Sequence, residues 1–156
     1  MPLNRSYVGR QLPPTPPYQV GREKIREFAT AIGADDPAYH DPAAAQALGY
    51  PDVIAPPTFA VIPTMAAAEQ LRNDPELGLD YSRVVHGDER FQYTRPVVAG
   101  DELVCVVTVE EITERAGHEF LTTRTEISTP SGEPVVTVWN KLVVRGGATA
   151  GGEERA

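Results

Sequence analysis

The chain has 156 residues, enough for one domain with a real core and short for two, and 41% hydrophobic with 23% charged residues marks a globular composition. A net charge of −8 excludes non-specific nucleic-acid binding, which needs a basic footprint to displace counterions. The single cysteine, Cys105, excludes an intramolecular disulfide; its valine neighbours predict a buried thiol in a strand.

Residues 1–17, MPLNRSYVGRQLPPTPP, lack the continuous apolar run of a signal peptide, and no stretch approaches the length of a membrane span. The expectation is a cytoplasmic protein whose proline-rich first segment lies extended over the surface or across a partner. Tyr18 to Val20 reads as a short strand. From Gly21 to Gly33, Ile25, Phe28, Ala29 and Ile32 fall on one face of an amphipathic helix that Gly33 ends. Ala34 to Asp41 is polar and turn-like, and Pro42 to Leu48 reads as a short helix stopped by Gly49.

Thr58 to Leu71 predicts one buried helix. Phe59, Val61, Ile62, Met65 and Ala66 recur at helical spacing, and the small side chains of Ala66 to Ala68 let a sheet lie close. Pro63 should kink this helix or mark a late start. From Val84 onward the pattern changes to alternation. Phe91 and Tyr93, Leu103 to Val109, Phe120 to Ile127 and Val135 to Val144 read as strands, with hairpin turns at 115–118 and 129–132. Trp139, between valines, is expected in the core. Residues 146–156 read as a disordered tail. One apolar helix with four or five antiparallel strands is buried most simply by a curved sheet wrapped around the helix, an α+β arrangement whose open edges favour a dimer.

The polar loop, the Gly-Tyr approach to the central helix, Val20-Gly-Arg-Glu-Lys-Ile-Arg26 and Pro96-Val-Val-Ala-Gly-Asp101 together resemble the hot-dog fold of MaoC-like dehydratases. The resemblance extends to the HadA-type subunits of mycobacterial (3R)-hydroxyacyl-carrier-protein dehydratases and spans roughly residues 18–145. It implies dehydration of a (3R)-3-hydroxyacyl thioester, carried on acyl carrier protein or coenzyme A, or the reverse hydration. No cofactor is expected, and no metal either, since His86 and His118 are spread too widely and no Cys or His pair has ligand spacing. Such chemistry needs a base for the weakly acidic α-proton and an acid for the hydroxide that leaves, with amides at the start of the central helix, here Thr58 and Phe59, holding the carbonyl oxygen.

In the family an aspartate and, five residues on, a histidine do this work. Matched by spacing, they fall on Asp35 and His40. Matched by Asp36-Pro37, they fall on Ala34 and Tyr39, and the chain then resembles the subunits that bind the acyl chain while a MaoC-like partner supplies catalysis. Both frames stand at the level of sequence, as does hydrolysis by a hot-dog thioesterase. Arg90 and Arg95 read as strand-surface or ion-pair residues.

Overall fold

The computed structural model describes residues 2–146. Five antiparallel strands form one sheet in the order β1-β3-β4-β5-β2: β1 (Tyr18–Gln19), β2 (Val84–Tyr93), β3 (Glu102–Arg115), β4 (His118–Ser128) and β5 (Pro134–Val144). The helices are α1 (Arg22–Ala31), α2 (Pro42–Ala47), α3 (Val61–Ala67) and α4 (Glu69–Arg72). The architecture is the expected hot-dog fold, a curled sheet around a central helix. The expected tail lies, apart from Gly146, outside the described residues.

Alternation sets the concave face of the sheet. Leu103, Cys105, Val107 and Val109 of β3, Leu121, Thr123, Thr125 and Ile127 of β4, and Val136 and Val138 of β5 are all buried on it. Burial pushes the Cys105 thiol up to about 11, so it stays protonated and unreactive. Trp139 has the opposite parity to Val138. It is half-buried on the convex face with the Arg90 guanidinium 4.0 Å from its ring centroid, which corrects its expected place in the core.

The central helix differs from the expected single segment. It is two short pieces, with Ala68 capping both, and Thr58 and Phe59 lie in turns before it. Pro63 is the third residue of α3, where amides have no helical partner, so neither a kink nor a later start is required. The buried face also differs. Phe59, Ala60, Pro63, Thr64, Ala67 and Leu71 turn inward, whereas Val61 and Ile62 are half-buried and Met65 and Ala66 are exposed. A helix apolar on all sides carries no phase. Two small side chains, Ala60 and Ala67, are fully buried in the core.

The first segment is extended as expected, but it is also part of the core. Leu3, Tyr7 and Leu12 are buried, and the amides of Gly9, Leu12 and Thr15 donate to the carbonyls of Val109, Val107 and Cys105 along the outer edge of β3. That strap closes one edge of the sheet. The other edge, β2, has no neighbour on its far side among the described residues.

The β3–β4 connection is a two-residue turn with Ala116 at φ 54° and Gly117 at φ 76°, the signature of a hairpin turn that needs left-handed backbone at both positions. Alanine is strained there. Ala116→Asn should therefore raise stability by about 0.5–1 kcal/mol in thermal unfolding, and a loss would show that the turn relaxes differently.

Candidate active site

Three elements converge where the central helix begins. The first is the loop after α1. Gly33 adopts φ 71° and its amide and that of Ala34 donate back to Thr30 and Ala29, which stops the helix and aims the loop. Asp36 then caps the turn Pro37–Tyr39 by accepting the Ala38 amide at 2.9 Å, and Ala38 is buried. Its carbonyl accepts from Ile54, the second element.

The third is the loop Pro96 to Asp101. Asp101 accepts the Val98 amide at 2.8 Å and receives Arg95 Nη1 and Nη2 at 2.8 and 3.1 Å, while Arg95 Nε reaches Glu133 at 2.7 Å. The two carboxylates hold this guanidinium charged, well above its ordinary range. Arg95 is thus an ion-pair residue. The Ala99 amide donates to the Val53 carbonyl and the Ala55 amide to that of Val97, while the Gly100 amide donates to the Val20 carbonyl and the Val20 amide to that of Asp101. The two segments that carry the resemblance most specifically therefore touch each other. Because Asp101 is half-buried and serves both a backbone amide and Arg95, Asp101→Ala should cost about 1.5–3 kcal/mol in urea unfolding; an effect under about 0.5 kcal/mol would mean the loop is held by its backbone bonds alone.

Between these elements lies a pocket of about 280 Å³ lined by Tyr39, Ile54, Ala55, Pro57, Tyr93 and the segment 94–96. The Tyr93 hydroxyl donates to the Pro57 carbonyl, and burial pushes its phenol up to about 12, so it is a neutral donor at physiological pH.

The site residues read from the sequence fall at different places around this pocket. Tyr39 is half-buried and lines it. His40, next in sequence, turns the other way, with its ring Nε2 2.8 Å from the Ala34 carbonyl and its own carbonyl held by Arg26 Nε at 2.8 Å. A carbonyl oxygen only accepts, so Nε2 carries the proton in this geometry. Asp35 is exposed. Thr58 is exposed, and the Phe59 amide already donates to the Pro56 carbonyl at 2.9 Å. Phe59 itself is fully buried, edge-on to Phe28 of α1. Tyr93 and its bond to Pro57 were not singled out from the sequence, although the alternation of Phe91 and Tyr93 already puts both rings on one face.

The family model described as "FAS1-like, dehydratase domain region" matches residues 6–138. A UPF0336 protein of Saccharopolyspora erythraea is 60% identical over 148 residues, covering 95% of each chain. Among solved structures, a MaoC-like dehydratase has a TM-score of 0.83 at 35% identity; the match covers 90% of this chain and 43% of that one, so this chain spans less than half of that protein. A chain of the C-terminally truncated HadBC (3R-hydroxyacyl-ACP dehydratase) complex from Mycobacterium tuberculosis matches with a TM-score of 0.77 at 33% identity, covering 88% of this chain and 96% of that one. Family match and fold agree: the chain belongs to the FAS1-like dehydratase-region family, within the MaoC-like hot-dog dehydratases.

Proposed function

We propose that this chain is the acyl-binding subunit of a cytoplasmic (3R)-3-hydroxyacyl thioester dehydratase of acyl-chain metabolism, and that the catalytic aspartate and histidine come from a MaoC-like partner. The substrate is an acyl chain on acyl carrier protein or coenzyme A. The observation that carries this reading is the position of Tyr39. It lines the pocket in the place where the proline frame puts the family's histidine, while His40 is turned to the Ala34 carbonyl. A tyrosine and an alanine cannot replace a histidine and an aspartate in moving these two protons near neutral pH.

Two further features support it. The Phe59 amide is engaged within its own turn, which leaves this protomer a poorer site for a developing oxyanion. The open edge of β2 suits pairing with a second hot-dog chain, and one of the solved relatives is a two-component dehydratase complex. No helix among the described residues is long and apolar enough to cross a membrane.

The reading is tested in an active, purified assembly containing this chain, assayed by hydration of an enoyl thioester. Asp35→Asn and His40→Ala should leave kcat within about twofold of the parent, whereas Tyr39→Ala should raise KM by about tenfold or more. A loss of about 100-fold in kcat for either Asp35→Asn or His40→Ala, with the fold intact, would return the chemistry to this chain.

A further inference from the structure

The concave face has a polar row that the dehydratase reaction does not use. Glu89 of β2 is directly opposite Asn140 of β5, which is directly opposite Thr123 of β4. The rows on either side, Phe91–Val138 and His86–Leu142, are mostly apolar. Asn140, Thr123 and Leu121 form the floor of a cavity of about 40 Å³ roofed by Thr64 and Met65 of α3. Glu89 Oε1 and Asn140 Oδ1 are both buried and have no hydrogen-bond partner among the described residues. Burial raises the Glu89 carboxyl above its ordinary value, with His86 acting in the opposite direction.

This row is connected to the pocket at the helix start by a single strand. Tyr93 lines that pocket, His86 lines the cavity, and Phe91 and Glu89 occupy the same face of β2 between them. Four residues of strand separate Tyr93 from Glu89, about 13 Å, the reach of an extended medium-length acyl chain. The exposed Met65 of α3, which lines the cavity, stands over the far end of this path. An alkyl chain laid along it would leave two unpartnered acceptors dry, which is unfavourable. A chain bearing an O–H at that depth would donate to them.

Resting on the acyl-binding reading above, we infer that Glu89 and Asn140 form a second recognition subsite selecting acyl chains that carry a hydroxyl remote from the thioester. This hydroxyl is distinct from the one eliminated, which stays at the pocket by Tyr39. The adjoining cavity, whose wall includes Asn140 while Glu89 stands beside it across the strand pair, is large enough for a hydroxyl and its carbon.

The full chain, in the oligomer it forms, is titrated calorimetrically with octanoyl, decanoyl and dodecanoyl pantetheine thioesters and with their ω-hydroxy counterparts. In one of the three pairs the ω-hydroxy thioester should bind about tenfold or more tighter than its alkyl counterpart. Glu89→Leu with Asn140→Leu should reverse that order. Glu89→Gln, whose amide can donate to Asn140 within the protein, should abolish the preference, and it serves alone if the double variant does not fold. Alkyl thioesters binding as tightly as their hydroxy counterparts at every length would overturn the subsite while leaving the acyl-binding reading intact. If neither series binds, both fall.

Discussion

Co-expression with a MaoC-like chain that has the complete aspartate and histidine motif should give a mixed dimer that hydrates enoyl thioesters at least about 100-fold faster than this chain alone. The magnitude follows from what is missing. A positioned base and acid contribute about 10²–10⁴-fold, and in the frame set by Asp36-Pro37, on which the proposal rests, the two family positions are Ala34 and Tyr39. The expectation of a dimer follows from the sheet. The strap of residues 9–15 closes the β3 edge, but the outer edge of β2 has no strand beside it among the described residues, with Val85 at 44% exposure there. On the helix, Met65 is 41% exposed on an apolar face that a neighbouring protomer can cover. Light scattering of the co-purified material should therefore give a dimer, and the chain alone a homodimer of weak or no activity. A well-folded monomer, or a homodimer with full turnover that a partner does not raise, would overturn this assignment.

The sheet was legible because alternation is a direct record of burial. Arg124 and Glu126 mark the convex parity of β4, and Leu121 and Ile127 the concave one. The same rule puts Trp139 outside, since Val136 and Val138 are inside; a large aromatic between valines outweighed parity in the sequence reading. The central helix was less legible because an apolar stretch with no polar face does not say which side meets the sheet. Nor did the proline-rich start reveal that Leu3, Tyr7 and Leu12 are core residues, since their spacing follows the edge of β3 and no period of their own. In the candidate site, both frames for the Asp/His pair were consistent with the residues. The choice between them depends on which side chain the Asp36-capped turn directs into the pocket, and that depends on Ala38 being buried, a contact with Ile54 far along the chain.

Phe59→Ala should be the most destabilising single truncation in the central segment, about 3–5 kcal/mol in urea unfolding, or a fall of roughly 10 °C in Tm. The sequence pattern gave Ile62 an equal part, but the two side chains do different things. Phe59 is completely buried, and its ring meets Phe28 edge-on at 5.6 Å between centroids, pinning α1 to the start of the helix. Removing it opens a cavity between α1 and the sheet, bordered by backbone that the turn at Pro56 holds in place, so collapse cannot recover the lost contacts. Ile62 is only half-buried, packed against the margin of the core. Ile62→Ala should therefore cost about 1 kcal/mol or less in the folded protomer and act mainly on association, shifting the dimer midpoint in dilution experiments. If Phe59→Ala costs under about 1 kcal/mol, or if Ile62→Ala costs as much as Phe59→Ala at a concentration where the protein is monomeric, the buried face of the helix is not the one described.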